Sequence, residues 1–237
     1  MSMRYAVITF PGSNGEHDAL MAVELGLGMP VEAVWYKETS LDRFDALLLP
    51  GGFSYGDYLR PGAIARFAPI MAAVEEFAAS GKPVLGICNG FQVLTEAGLL
   101  PGALLRNQSL EFRCAWVHVR TETTRTPWTA PLADGEVLHL PIAHGDGRYF
   151  AEPDLLNRLI QNDQIVFRYS TESGERDSSV NPNGSVDDIA GVCNSAGNVV
   201  GLMPHPERAY DTLIGGDDGL RILSSVLRAG MAAASGA

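Results

Sequence analysis

The chain has 237 residues, and its 17 Lys and Arg against 28 Asp and Glu give a net charge of −11. Hydrophobic residues make up 46% and charged residues 19%, which is typical of a folded globular domain and excludes a disordered chain. No apolar run approaches the ~18 residues of a membrane span. The acidic balance argues against nucleic acid or an anionic membrane as a partner.

The cysteines and the N-terminal sequence indicate the cellular compartment. Cys88, Cys114 and Cys193 are too few and too scattered for a disulfide framework, and none forms a CxxC pair that would suggest zinc or redox chemistry. The N-terminus MSMRYAVITF lacks the basic and apolar regions of a signal peptide. We therefore expect a cytoplasmic protein with reduced thiols.

Apolar runs of strand length alternate with helix-length periodic segments in the first half of the chain. The sequence predicts strands at RYAVITF, VEAVWY, DALLLPGG and KPVLGI, and helices after the turn PGSNGE and over residues 65–81. This alternation predicts an α/β fold with a mostly parallel sheet flanked by helices. The length favours a single domain over residues 1–237.

From residue 107 to about residue 200 the pattern changes to shorter β-like pieces separated by turn-rich stretches. These pieces are CAWVHVRT, EVLHLPIA, QIVFRYS and GVCNSAGNVVGLM. We interpret them as the far edge of the sheet together with a β-hairpin-rich elaboration. The C-terminal GLRILSSVLRAGMAAASGA is predicted to begin as an amphipathic helix and to end in a frayed tail of small residues.

The stretch KPVLGICNGFQ places Cys88 between two glycines, behind a predicted strand and ahead of a predicted helix. Its G-x-C-x-G core has the shape of a nucleophile elbow, in which a sharp strand-to-helix turn exposes the central side chain. A helix that begins at Asn89 would direct its N-terminal N–H groups toward Cys88 and favour the thiolate. The alternative is a buried structural cysteine, since five-residue patterns recur by accident.

A cysteine nucleophile needs a proton carrier from elsewhere in the fold. In GLMPHPE, His205 lies between two prolines, where regular strand pairing has to stop. Glu207 lies two residues further on and, in extended geometry, would share a side with His205 and hold its second ring nitrogen. The alternative is a surface ion pair of little consequence. Together with the elbow, the pattern predicts a Cys88–His205–Glu207 triad.

The other histidines are weaker candidates for the proton carrier. His118 and His139 alternate with apolar residues in strand-like runs, which favours a structural role. His144 lies beside Asp146 in the glycine-rich stretch PIAHGDG, and we retain it as a candidate for supporting the site or forming an interface.

An acyl-transfer site also needs hydrogen-bond donors for an oxyanion. In LLLPGGFSYGD a predicted strand ends at Gly51 and Gly52, whose N–H groups can approach a ligand closely. We predict that Gly52 donates together with the N–H of Asn89, the residue after the nucleophile. The stretch FPGSNGE lacks both the Gly-Lys-Ser/Thr ending and the GxGxxG spacing, so we expect no nucleotide site on this chain.

Three motifs, in the order PGGFSYGD, GICNGFQ and MPHPE, resemble those of the triad-type (class I) glutamine amidotransferases. Longer stretches are similar to the family of glutaminase subunits of phosphoribosylformylglycinamidine synthase, which belongs to purine biosynthesis, and the similarity covers nearly the whole chain. These stretches are FPGSN, GGFSYGDYLRPGAIA, GLLPGAL, PIAHGDGRYF, NPNGSVDDIAGVCN and GNVVGLMPHPERA.

The resemblance implies a flavodoxin-like class I amidotransferase fold and a subunit that hydrolyses glutamine to glutamate and ammonia through a cysteine thioester. It implies a large ATP-using synthetase subunit that receives the ammonia and converts formylglycinamide ribonucleotide to formylglycinamidine ribonucleotide. A small third subunit is expected to join them. No cofactor is implied for this chain, and ATP and Mg²⁺ are expected on the large partner.

By position, the resemblance assigns Cys88 as the nucleophile, His205 as the acid/base and Glu207 as its orienting residue. It assigns the oxyanion donors to Gly52 and Asn89. Gln92 in GICNGFQ matches a position that helps to hold the substrate glutamine. The family often has cysteine where this chain has Gly15, and we expect no loss of activity from that departure.

Three alternatives stay open at this point. Another class I glutaminase would keep the triad and serve a different synthetase through a different docking surface. A non-catalytic binding module on the same fold would leave Cys88 unreactive toward a diazo-ketone analogue of glutamine. A cysteine hydrolase of other amides or esters would require only the elbow.

Overall fold

The computed structural model describes residues 3–227, which form eleven strands and five α-helices together with several short 3₁₀ turns. The strands are β1 (Tyr5–Thr9), β2 (Val31–Trp35), β3 (Ala46–Leu49), β4 (Val84–Ile87), β5 (Ala103–Leu105), β6 (Arg113–Thr121), β7 (Val137–His144), β8 (Arg148–Phe150), β9 (Ile165–Ser170), β10 (Ile189–Cys193) and β11 (Val199–Leu202). The helices are α1 (Glu16–Met21), α2 (Ile70–Ala79), α3 (Asn89–Glu96), α4 (Pro153–Gln161) and α5 (Asp218–Leu223).

One nine-stranded sheet, in the order β2-β1-β3-β4-β11-β10-β9-β6-β7, organises the molecule. The five strands from β2 to β11 run parallel to one another, and we call them the parallel half. Every residue of β1, β3, β4 and β11 is buried, which explains why these strands appear in the sequence as continuous apolar runs. The predicted α/β architecture with a parallel sheet is confirmed.

The remaining strands β10, β9, β6 and β7 join the same sheet antiparallel to their neighbours, and we call them the antiparallel half. The hairpin-rich region of the sequence is therefore a direct extension of the parallel half. Only β5 and β8 lie outside it, as a separate two-stranded sheet. The predicted piece GVCNSAGNVVGLM proves to be a hairpin of β10 and β11, with its turn at the polar stretch between them.

Several helices differ from their predicted extents. The helix predicted over residues 65–81 is divided, because Ala68 before Pro69 adopts an extended conformation, and α2 begins only at Ile70. Helix α1 continues as a π-helical turn at Ala22–Gly26. Helix α4 lies in the region predicted to be only β-like and was missed. The predicted C-terminal helix begins as α5, and its small-residue tail lies outside the described residues.

The topology brings the predicted site residues to one edge of the sheet. The parallel strands β3, β4 and β11 end there and are followed by Gly51, Cys88 and His205 respectively. Loops beyond the carboxyl ends of parallel strands are where α/β folds place their sites. No helix among residues 3–227 has the length and hydropathy of a membrane span.

Candidate active site

Cys88 lies at the sharp turn between β4 and α3, as the elbow motif predicts. Its backbone adopts φ 50° and ψ −103°, a left-handed conformation that is uncommon for any residue except glycine. The turn is fixed on both sides, because the Cys88 N–H donates to the Leu202 carbonyl at 2.9 Å and its carbonyl accepts from the Gln92 N–H at 3.1 Å. The side chain is 6% exposed. Such local strain is typical of functional sites.

The two glycines that flank Cys88 are required by close packing. A Cβ on Gly90 would lie 1.9 Å from the Leu49 carbonyl oxygen of β3. A Cβ on Gly86 would lie 2.8 Å from the carbonyl carbon of Gly90. Helix α3 can therefore begin directly against the ends of β3 and β4 only because both positions lack side chains.

His205 and Glu207 form a buried pair directly after β11. The His205 Nδ1 lies 2.6 Å from the Glu207 Oε1, and the two side chains are 2% and 0% exposed. The contact was predicted from extended geometry, and this reason was wrong. Residues Pro206–Arg208 form a 3₁₀ turn, and the turn returns the carboxylate to the imidazole.

The surroundings of His205 favour its protonated form. Burial lowers the pKa of His205, but the charges of Glu207 and Cys88 outweigh burial and raise this pKa above its ordinary value. The Nε2 atom of the same ring makes no hydrogen bond among the described residues. It is therefore free to exchange a proton with a ligand in the adjoining cavity.

Gly51 and Gly52 lie between the nucleophile and the N-terminal loop. A Cβ on Gly51 would lie 2.7 Å from the His205 Cε1 and 3.6 Å from the Cys88 Cβ, so this glycine allows the two side chains to approach. Gly52 has φ 144°, and its N–H makes no hydrogen bond within the described part of the chain. The first N–H groups of an α-helix have no partner within the helix, and in α3 these groups start with the N–H of Asn89. Both predicted oxyanion donors are thus available.

Gly52, Cys88 and His205 line a cavity of about 200 Å³. Gln92 lies on its wall, where its side-chain amide donates to the Asp146 carbonyl at 2.6 Å and accepts from the Asn89 amide at 3.0 Å. Both ends of the Gln92 side chain thus have partners within the protein. Its predicted role in holding glutamine remains a prediction. The cavity is also lined by Asp57, His144, Asp146 and Arg208.

His144 also lines the cavity, at the end of β7. Its Nδ1 lies 3.1 Å from the Asn107 Oδ1, and its Nε2 lies 3.5 Å from the Asn183 Nδ2. The Asn107 Oδ1 also accepts from the Gly147 N–H at 3.0 Å, so it acts as an acceptor and assigns the proton of the imidazole to Nδ1. Burial, and then the charge of His205, lowers the pKa of His144 to about 4. This histidine is a neutral supporting group of the wall.

Several residues of the cavity were not singled out from the sequence as parts of the site. Asp57 and Asp146 contribute two carboxylates, and Arg208 contributes a guanidinium that donates to Asp18 at 2.8 Å. Asn107 and Asn183 contact His144 and hold its ring in place. Asp57 and Asp146 do lie inside the quoted motifs GGFSYGD and PIAHGDG, which was the available signal. Residues 3–227 contain no group of three or more His, Cys, Asp or Glu arranged to hold a metal ion.

Comparison with known proteins agrees with this geometry. Residues 2–215 match the CobB/CobQ-like glutamine amidotransferase domain. The phosphoribosylformylglycinamidine synthase subunit PurQ of Thermomicrobium roseum is 68% identical over 97% of both chains, and that of Moorella thermoacetica is 53% identical over 95% of both.

Solved structures give the same result. A chain in the structure of PurLQS from Thermotoga maritima superposes with a TM-score of 0.85 and 45% identity, covering 96% of this chain and 99% of that one. A glutamine amidotransferase from Thermotoga maritima, 18% identical with a TM-score of 0.56, covers 88% of this chain and 78% of its own, and shares the fold. The chain therefore belongs to the CobB/CobQ-like glutamine amidotransferase family.

Proposed function

We propose that this chain is the glutaminase subunit of a phosphoribosylformylglycinamidine synthase in purine biosynthesis. The observation that supports this most is that Cys88, the free N–H group of Gly52 and His205, which is paired with Glu207, meet at one cavity. This convergence occurs in a chain that is 68% identical to a PurQ subunit over 97% of its length. The elbow alone would serve a general cysteine hydrolase, but identity along the whole chain favours the glutaminase.

The first step is attack of the Cys88 thiolate on the side-chain carboxamide of glutamine. An S–C bond forms, and the carbonyl oxygen becomes an oxyanion in a tetrahedral intermediate. The N–H groups of Gly52 and Asn89 are our candidates for stabilising this charge, because they make no bonds that would have to break first.

The second step releases ammonia. The imidazolium of His205 donates its Nε2 proton to the departing nitrogen, the C–N bond breaks, and a glutamyl thioester remains on Cys88. Glu207 holds the opposite ring nitrogen and stabilises the imidazolium. Neutral His205 then takes a proton from water as it attacks the thioester, the S–C bond breaks, and glutamate leaves.

The ammonia would pass to partner subunits of the same complex. The related Thermotoga maritima chain was solved within PurLQS, and we propose the equivalent large synthetase and small third subunit as partners here. ATP and Mg²⁺ would bind to the large subunit, where formylglycinamide ribonucleotide becomes formylglycinamidine ribonucleotide. Cys88, Cys114 and Cys193 are all free, as is usual for proteins of a reducing compartment, and we propose that the complex is cytoplasmic.

The proposal predicts that glutamine hydrolysis on this chain can be separated from the ammonia-dependent synthesis on its partner. Wild-type and Cys88→Ala complexes are assayed for formylglycinamidine ribonucleotide with either glutamine or a high concentration of ammonium salt. The wild type should use both nitrogen sources, whereas Cys88→Ala should use only ammonia, because the site on the partner is untouched. An assembled Cys88→Ala complex that fails with ammonia, or that still uses glutamine, contradicts the division of labour.

The same preparations test whether docking controls the glutaminase. We expect the free wild-type subunit to hydrolyse glutamine only weakly, because docking would complete the oxyanion geometry around Gly52. Full glutaminase activity in the free subunit would contradict this control and leave the division of labour intact.

A further inference from the structure

Two carboxylates face the cavity without a cationic partner. Asp57 follows β3 and Asp146 follows β7, and neither forms an ion pair with a Lys, Arg or His of residues 3–227. The cations that line the cavity are already committed, because Arg208 donates to Asp18 and His205 is paired with Glu207. One side of the cavity is therefore anionic and uncompensated.

The position of Asp57 is specified by the chain around it. Tyr55, Gly56 and Asp57 adopt three successive left-handed conformations, with φ of 55°, 71° and 52°. The Asn89 side chain fixes this loop, because its Oδ1 accepts from the Ser54 N–H at 3.1 Å and its Nδ2 donates to the Asp57 Oδ1 at 3.3 Å. Asp57 is thus linked through one side chain to the residue next to the nucleophile.

Asp146 is held next to the same helix. Its carbonyl accepts from the Gln92 Nε2 at 2.6 Å, and the Gln92 Oε1 accepts in turn from Asn89. The pKa of Asp57 is raised to about 6, mainly by burial. The hydrogen bond from Asn89 lowers this pKa, and the charge of Asp146 raises it. A cation beside these two carboxylates would reduce the repulsion between them. It would also offset the cost of holding a buried negative charge on Asp57.

His205 provides a second group without a partner in the same cavity. The His205 side chain is 2% exposed, lines the same cavity and has an Nε2 atom without a hydrogen bond among the described residues. A ligand that satisfies both groups needs an amide near Cys88 and His205 and a positive charge near Asp57 and Asp146. Glutamine has this arrangement, with a carboxamide at one end and an α-ammonium group at the other.

We infer that Asp57, with Asp146 beside it, binds the α-ammonium group of glutamine, an inference that rests on the proposed glutaminase function. Asp57 is then a specificity-determining residue. It distinguishes glutamine from simple amides of the same length, because only glutamine brings a cation to the anionic side of the cavity.

The test uses the complex of this chain with its partners and two substrates, glutamine and 4-carbamoylbutanoate, which lacks only the α-amino group. The variant is Asp57→Asn, because asparagine keeps the oxygen that accepts from Asn89 and tolerates a left-handed conformation. We expect its KM for glutamine to rise about tenfold to a hundredfold with kcat changed less than about threefold. Hydrolysis of 4-carbamoylbutanoate should be slow and equal in wild type and variant.

Asp163→Asn is the matched control, because Asp163 is an exposed aspartate with φ 51° outside the cavity, and its kinetics should equal those of wild type. Asp146→Asn is the second variant and decides the case if Asp57→Asn does not fold. It keeps the backbone bond to Gln92, and its KM for glutamine should also rise.

An unchanged KM for glutamine in folded Asp57→Asn, or an equal loss on both substrates, overturns the inference while the glutaminase function stands. A wild-type complex that does not hydrolyse glutamine overturns the proposed function and this inference together.

Discussion

The parallel and antiparallel halves of the sheet build the candidate site by different means. The parallel half contributes backbone geometry, namely the left-handed turn at Cys88 and the close approach at Gly51 and Gly52. The antiparallel half contributes a wall held by side-chain amides, in which Asn107 and Asn183 fix the loop around His144. His205 follows β11, the strand at which the two halves meet. In the proposed mechanism the parallel half performs the chemistry and the antiparallel half shapes the cavity.

The largest effect should come from the nucleophile of the parallel half. We expect Cys88→Ser to lower glutaminase turnover to below a few per cent while the fold stays intact, because an unactivated hydroxyl is a far poorer nucleophile. Glutamate production by the complex measures the loss, and circular dichroism measures the fold. Cys193→Ser removes another buried thiol, one that does not line the cavity, and should keep full turnover.

Loss of the proton carrier should have the next largest effect. We expect His205→Ala to lower kcat by roughly a hundredfold to ten-thousandfold, and Glu207→Ala by less, because an orienting group is less essential than the group that transfers the proton. Equal and negligible losses would point to another base, and His144 would be the next candidate.

A smaller effect is expected from filling the space between Gly51 and His205, which follow two strands of the parallel half. The Cβ of Gly51→Ala would lie 2.7 Å from the His205 Cε1 and should displace the imidazole from Cys88. We expect a loss of about a hundredfold in kcat. Gly216→Ala is the control, because the nearest atom to its Cβ would be at 3.4 Å and outside the cavity. If both variants kept wild-type rates, the close approach at Gly51 would have no catalytic importance.

We expect changes in the antiparallel half to alter the stability of the protein more than its catalytic rate. His144 has a pKa of about 4 in the folded protein, against about 6.5 in the unfolded chain, so between these pH values the unfolded state binds the additional proton. The free energy of unfolding should therefore fall as the pH is lowered through this range, by up to about 1.4 kcal/mol per pH unit. Denaturant titrations of wild type and His144→Asn from pH 7 to pH 4.5 measure this slope.

The expected result is a shallower slope for His144→Asn, because asparagine takes up no proton. Parallel slopes would mean that His144 titrates alike in both states, and the wall would then not hold a buried neutral imidazole.

What the sequence predicted follows the same division between the halves. Gly86, Cys88 and Gly90 lie within five residues, because one turn has to be tight, and the motif was therefore visible. The parallel strands were visible as well, because burial on both faces produces continuous apolar runs. The contact of His205 with Glu207 was predicted correctly, although a turn rather than an extended segment creates it.

The contacts around His144 and the order of the antiparallel strands could not be predicted from local sequence patterns. Asn107, His144 and Asn183 are far apart in sequence and meet only after β6, β7 and β9 have paired, so no local spacing records their contact. The hairpin pattern indicated antiparallel pairs without their order in the sheet. Helix α4 was missed because its polar, amphipathic sequence lies among β-like pieces.

The most direct test of the proposed mechanism is to locate the acyl intermediate. The complex is mixed with isotope-labelled glutamine, quenched in acid during turnover and digested, and the labelled peptide is identified by mass spectrometry. We expect a glutamyl thioester on the peptide that contains Cys88, and none in the Cys88→Ser complex. Label on Cys114 or Cys193 instead, or glutamate release from Cys88→Ser at the wild-type rate, would contradict the mechanism.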